Sequence, residues 1–500
     1  MKSEARKGAI YNYINLLLIN AIGVILTPFI IRHLGPSQYG LYTLAGAIVP
    51  YIALFDLGMG KTITRYVAHY RANNDSVNEA RFLTTTLHIY ALIVAILLLC
   101  GAFLYLNIEH IWGEHFTASE LKDVQLMVLV TIVTQAIIIP GSAFTAICNG
   151  IGYFAFPRGI QPIKYAIRAA CVIGLLIYGA KAFALITLEA MLNIGVVIAT
   201  SVYVKRHIGR REIFSSQRLD SRPILHYTKW IALYAATCAF QWNAGNIIAG
   251  MTSDTTTVGI VGTGILLGCM YGYFAETINR MTLPHASRFI KTNPSGNELT
   301  QEMIRVGRLV AIPQICILAG FIIFGQAFVT LWAGETYAPA YYIALVMMSA
   351  WTLQLSQEYG TSLLEARGSV RTISVINFIT IFLGVVVTYF VAQHKGADSI
   401  IYTLAGGTIL ATIANNIYYR STLQLNIPRY LWQVYARLLL TAGCLVIIYK
   451  IIEQYCITTH SWWWIAIGAA TFLLLYASSI YLLVLTPDER QMLKRNAHRQ

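Results

Sequence analysis

The chain has 500 residues, 57% of them hydrophobic and only 12% charged, and its mean hydropathy is +0.60. Ordinary soluble domains carry about 25% charged residues, so there is too little charge here to cover soluble faces, and the composition equally excludes a disordered or collagen-like chain. The net charge of +14, from 36 Lys and Arg against 22 Asp and Glu, would point to nucleic acid in a soluble protein. Its placement along the chain points elsewhere.

A bilayer core about 30 Å thick needs roughly 20 apolar residues per helix. On that ruler the sequence holds fourteen segments. The first six run near residues 9–31, 39–57, 82–106, 124–148, 163–179 and 183–204. After a basic loop come 230–249, 258–278, 306–328, 341–362, 375–392 and 400–418, and a last pair at 434–449 and 462–485. The first segment follows Lys2, Arg6 and Lys7 but is too long for a signal-peptide core, contains Asn12, Asn15 and Asn20, and lacks a small-residue cleavage site. It reads as an uncleaved span.

With the N-terminus inside, the cytoplasmic segments hold 31 Lys and Arg and the outer ones 5. That division satisfies the positive-inside rule and places both termini in the cytoplasm. Basic runs such as Lys205, Arg206, Arg210 and Arg211 also favour anionic headgroups. No nucleic-acid role is expected. The eight cysteines form no CxxC pair or zinc-like spacing, so neither a metal nor another cofactor is implied. No Gly-x-x-x-x-Gly-Lys run is present for ATP, and no loop is large enough for a catalytic domain, so the chain does not read as an enzyme.

Shifting the chain by 219 residues superposes the second six segments on the first. Gly40 then meets Gly259, Gln135 meets Gln354, Gly141 meets Gly360 and Lys61 meets Arg280, with Asp56 one place from Glu276. By the fifth segment the best offset is nearer 212. Six is even, so the copies insert in the same direction and are related by an axis along the membrane normal. The expected fold is an all-α integral membrane protein with 14 transmembrane helices, two six-helix lobes and two extra helices. Residues 1–210 form the first lobe, 211–425 the second, and 426–500 helices 13 and 14 with a basic cytoplasmic tail.

Residues 34–42 (LGPSQYGLY) and 56–60 (DLGMG) resemble bacterial Wzx-type O-antigen and polysaccharide flippases. So do residues 331–334 (LWAG) with Tyr337 and Ala340, and the stretch from Gly360-Thr361 to Arg367-Gly368. Those proteins belong to the multidrug/oligosaccharidyl-lipid/polysaccharide exporter superfamily. The resemblance implies a two-lobed, V-shaped transporter in the bacterial inner membrane. Its substrate would be an undecaprenyl-pyrophosphate-linked oligosaccharide moved to the outer leaflet by ion-coupled alternating access. Membrane lipid and a polysaccharide polymerase are the implied partners. A multidrug/cation antiporter of the same superfamily, and more remotely a membrane-embedded polymerase or ligase, are the alternatives.

An ionisable group inside a span is costly and is a functional candidate by default. Asp56 and Glu276 lie toward the inner ends of two matching segments, each followed by a cation, Lys61 and Arg280. Each reads either as a structural pair or as one side of an inner mouth. Lys61, Arg65 and His69 form one basic stripe, which either anchors the inner surface or binds a diphosphate headgroup. Glu189 with Asn193 sits deep in the sixth segment, and Arg168 appears about 13 Å away in depth. Glu189 therefore stands without a basic partner and is the leading coupling candidate, followed by Asp56, Glu276 and Glu358. On this expectation Glu189→Gln folds but loses gradient-driven transport. Gln354, Gln357, Glu358, Thr361 and Glu365 line one side of the tenth segment, with Gln135, Ser142, Thr145 and Asn149 on its counterpart. Trp242 and Trp351 are candidate sugar platforms or ordinary packed residues, whereas Trp112, Trp332 and Trp462 to Trp464 fit the outer aromatic belt.

The charge division makes a topological prediction. Reporter fusions at Thr117 should read outside, and those at Ser215 and the C-terminus inside; periplasmic activity at Ser215 would end the argument.

Overall fold

A computed structural model describes residues 2–207, 222–279, 282–456 and 461–484. Every regular element among them is helical. Hydrocarbon offers no water to backbone N–H and C=O groups, and a helix satisfies them within one segment. In chain order the helices are α1 (Lys2–Ala53), α2 (Met59–Ala72), α3 (Ser76–Leu106), α4 (Ile108–Trp112), α5 (Ala118–Ile151) and α6 (Ala155–Ile177). Next come α7 (Ala182–His207), α8 (Arg222–Thr252), α9 (Thr255–Asn279), α10 (Thr282–Ile290), α11 (Gly296–Ala333) and α12 (Ala340–Ser356). The rest are α13 (Glu358–Ala366), α14 (Val370–Lys395), α15 (Asp398–Leu423), α16 (Ile427–Leu431), α17 (Arg437–Cys456) and α18 (Trp462–Ser479).

Eleven helical stretches among the described residues are long and apolar enough to cross a bilayer, against the fourteen segments expected. The difference lies in three places. α1 holds the first two segments, which meet at Gly35, where φ is 74° and ψ 168°. Glycine enters that region without a Cβ clash, and Pro36 follows it. α12, the tenth segment, is only 17 residues long. α8, the seventh, begins at the edge of the undescribed stretch 208–221.

The chain divides into two compact units, Met1–Gly262 with Tyr389–Ile400, and Thr263–Thr388 with Ile401–Gln500. The expected lobes follow the sequence repeat, whereas these units follow packing. In the first unit α1 lies against α6 and α8, and α5 packs on α2, α3 and α7. In the second, α11 is the central helix, flanked by α12, α17 and α18, with α10 on α13. Its core includes Met303, Leu363, Tyr430 and Phe472. Two buried tyrosines there bond backbone oxygens: Tyr430 Oη donates to Ser356 O at the end of α12 at 2.9 Å, and Tyr476 Oη donates to Ile312 O within α11 at 2.8 Å.

Gly40 and Gly259, superposed by the 219-residue shift, meet in the first unit. A Cβ on Gly40 would lie 1.7 Å from the carbonyl oxygen of Thr255, and one on Gly259 would lie 3.4 Å from the Gly40 nitrogen. Beside this crossing the Glu120 carboxylate accepts hydrogen bonds from Ser37, Thr117 and Thr255, and so ties α1, α5 and α9 together. Small residues at helix crossings are the usual means of close approach in membranes.

Gly40→Ala should therefore lower thermal stability in detergent by an amount corresponding to about 2 kcal/mol or more, because backbone, not a flexible side chain, stands in the way. Gly46→Ala, whose Cβ would meet nothing within 4 Å, is the control and should be neutral. Equal melting temperatures for the two variants would refute the close crossing.

Candidate functional site

The densest set of charged groups within the described spans lies on α6 and α7 in the first unit. Lys164 Nζ donates to Glu189 Oε1 at 2.6 Å and to Asn193 Oδ1 at 2.7 Å. Arg168 Nε donates to Glu189 Oε2 at 2.6 Å, and its Nη2 donates to Tyr42 Oη on α1 at 3.0 Å. Asn193 Nδ2 completes the set with a 3.3 Å bond to Glu189 Oε1. Lys164 and Arg168 are four residues apart, as are Glu189 and Asn193, so each pair occupies one helix face. Two cations against one carboxylate leave one unit of positive charge inside the spans.

This overturns the expectation that Glu189 has no basic partner. The reason is geometric. α6 begins at Ala155 and not near Ile163, so Arg168 is far from the inner end. Measured instead from the turn joining α6 and α7, Arg168 lies nine residues before Ile177 and Glu189 seven after Ala182. At 1.5 Å per residue these are depths of about 13 and 10 Å, within easy side-chain reach. Lys164, which the inner charge tally absorbed, lies thirteen residues before Ile177, and Asn193 eleven after Ala182. Two four-residue pairs on adjacent antiparallel segments were the sequence signal for this cluster. Glu189→Gln should accordingly leave two cations without their counter-ion, rather than fold undisturbed.

Asp56 is held differently. Leu57 (φ 53°) and Gly58 (φ 74°) break the helix after it, and α2 starts at Met59. The carboxylate oxygen Oδ1 accepts from Tyr90 Oη at 3.2 Å and from Ser142 Oγ at 3.3 Å, and the backbone N–H groups of Gly58 and Gly60 also bond to the carboxylate. It thus caps the N-terminus of α2, where helix dipoles favour an anion. The expected Asp56–Lys61 pair does not form; Lys61, Arg65 and His69 are exposed along α2.

In the second unit, Arg280 lies outside the described residues, and Glu276 is exposed on α9. Glu358 is half-buried at the start of α13, and the carboxylates of Glu276 and Glu365 lie near enough to act on it. The tenth segment is not one continuous helix. It breaks at Gln357, a buried residue whose Nε2 has no hydrogen-bond partner, so the expected polar face is split between α12, with Gln354, and α13. Gln135 is buried in α5, and Trp242 is half-buried in α8. Trp351 is buried over Gly268 and cannot serve as an open platform, while Trp112 and Trp332 are buried and not part of a belt. The helices matching α6 and α7 in the repeat, α14 and α15, carry a neutral bond instead: Asn415 Nδ2 donates to Asn377 Oδ1 at 2.8 Å.

The fold and the cluster define a multi-spanning, all-helical membrane protein with an ion-paired, net-positive polar site within its spans. The sequence signature described as "Polysaccharide biosynthesis protein" matches residues 5–265, more than half of the chain, and the chain belongs to that family. It is 21% identical over 399 residues to the "Putative O-antigen transporter" of Shigella flexneri, covering 78% of this chain and 91% of that protein. Among solved structures it is similar to "Lipid II flippase MurJ, inward closed conformation", with a TM-score of 0.73, 12% identity and 94% and 97% of the two chains covered. It is also similar to an inward-facing "multidrug resistance MATE family transporter of the MOP superfamily", with a TM-score of 0.65, 13% identity and 83% and 94% covered. At these identities the structural likeness is one of fold, and it is an all-helical membrane fold as expected from the sequence.

A double-mutant cycle tests the ion-paired cluster. Arg168→Gln and Glu189→Gln should each destabilise the purified protein, and their effects should fall short of additivity by about 1–3 kcal/mol. Strict additivity would mean that the two side chains do not meet.

Proposed function

We propose that this protein is a flippase that carries an undecaprenyl-diphosphate-linked oligosaccharide from the inner to the outer leaflet of a bacterial inner membrane, by ion-coupled alternating access. The observation that carries the reading is the residual positive charge of Lys164, Arg168 and Glu189 within the spans of a polysaccharide-biosynthesis family member. A diphosphate is the one part of such a substrate that must be drawn away from water as an anion. Arg offers it two parallel N–H donors, and Lys a compact point charge. The Shigella relative's name points to the same class of cargo. A cationic drug would be repelled by the same cluster, which weighs against the antiporter reading, and the short loops weigh against a polymerase or ligase.

In this scheme Lys61 and Arg65 on the exposed face of α2 gather the headgroup at the inner surface, with Arg280 as their counterpart in the repeat. Gln135, Gln354 and Trp242 are sugar-contact candidates. The coupling role passes from Glu189, whose charge two cations already match, to Asp56, which among the described residues has hydroxyl and backbone donors but no cation. Glu276 and Glu358 are the corresponding acids of the second half.

Complementation of a strain lacking its flippase tests the scheme. Lys164→Gln with Arg168→Gln should abolish surface polymer at wild-type membrane expression, whereas full export by the double variant would remove the headgroup from this site. Asp56→Asn should keep substrate binding and lose the response of proteoliposome transport to an imposed proton or sodium gradient. A wild-type gradient response would exclude it as the coupling group.

A further inference from the structure

We propose that Glu189 is a built-in counter-ion that holds Lys164 and Arg168 in the empty protein and is displaced from them by the diphosphate of the substrate. This rests on the reading of the α6–α7 cluster as the headgroup site, and it adds how that site avoids holding its ligand too tightly.

Three features of the cluster single out Glu189 as the removable member. First, each cation has a second, neutral anchor. Lys164 bonds the Asn193 carbonyl oxygen at 2.7 Å, and Arg168 bonds the Tyr42 hydroxyl at 3.0 Å. Both would therefore keep their positions if the carboxylate withdrew. Among the described residues Glu189 has no comparable anchor away from the cations; its one further bond there comes from Asn193 Nδ2 at 3.3 Å. Second, accessibility rises in the matching order. Lys164 is 7% exposed, Arg168 20% and Glu189 34%, so the carboxylate occupies the open side of the two cations. Third, the carboxylate is bidentate, one oxygen on each cation at 2.6 Å. Two oxygens of a diphosphate can take the same two places.

The physical need for such a device follows from the environment. A diphosphate bound to two cations in a medium of low dielectric would be held strongly and released slowly, and transport requires binding weak enough to reverse. An attached carboxylate competes for the same donors at every moment. It lowers the apparent affinity by the fraction of time it occupies them. It also keeps the cations paired while no substrate is present, which lowers the cost of two bare charges inside the membrane.

The inference predicts a change of sign that a merely structural ion pair would not produce. Binding of radiolabelled farnesyl diphosphate to the purified full-length protein in nanodiscs is the measurement, with farnesol as the uncharged control. Glu189→Gln should bind farnesyl diphosphate more tightly than wild type, by on the order of tenfold. Asn193→Asp adds a second carboxylate beside Lys164 and should weaken binding by a similar factor, and Glu189→Asp should restore the wild-type value. Glu189→Gln that is monodisperse yet binds no tighter, or weaker, overturns the proposal. Should that variant fail to fold, unaltered affinity in Asn193→Asp overturns it instead. Wild-type protein that binds farnesyl diphosphate no better than farnesol would instead remove the headgroup site itself, a failure distinct from that of the counter-ion.

Discussion

Hydrocarbon gives a polar group nothing to bond to, and the helices and the charged cluster of this protein answer that constraint. Every regular element among the described residues is helical because only a helix satisfies itself within one segment. At two helix breaks the exposed backbone is met at once: the carboxylate of Asp56 sits at the N-terminus of α2, and the Tyr430 hydroxyl reaches the oxygen of Ser356 at the end of α12. Charges follow the same rule. Glu189 is matched by Lys164 and Arg168, and every member of that group has more than one partner.

The broad architecture was legible in the sequence because hydropathy, positive charge and repeat all act over long stretches, where local errors average out. The glycines aligned by the repeat, Gly40 and Gly259, prove to touch. The site was less legible because it depends on depth, and depth depends on helix ends. An apolar window placed the start of the fifth segment at Ile163, past the polar turn of α6 that begins at Ala155. That shift of eight residues separated Arg168 from Glu189 on paper and hid Lys164 among the inner charges. The break at Gln357 has no glycine or proline to announce it, and Trp112 is buried beside Gly250 by packing that no local pattern encodes.

The two halves of the repeat have diverged in chemistry while keeping their helices. α6 and α7 are joined by ions, whereas α14 and α15 are joined by an amide pair and by Gly384 and Gly407, where a Cβ on either would come within about 3 Å of the other's Cα. An ionic contact answers to the charge of an arriving ligand, and a close-packed neutral one does not. Under the proposed function, headgroup recognition within the spans therefore belongs to the first half.

The α6–α7 hairpin also carries a register key. Its two rungs, Arg168 with Glu189 and Lys164 with Asn193, share one offset of two residues about the connecting turn. Suppose α7 slid along α6 by one turn, about 5.4 Å, bringing Asn193 level with Arg168. Arg168 would trade its carboxylate for an amide, and Lys164 would face Val197, an apolar side chain. Both rungs would fail together on that slide, whereas the opposite one would keep Lys164 on Glu189, which it already bonds at 2.6 Å, and set Arg168 against Leu185. A one-turn slide in either direction thus costs Arg168 its carboxylate, and the cluster favours movement of the two helices together.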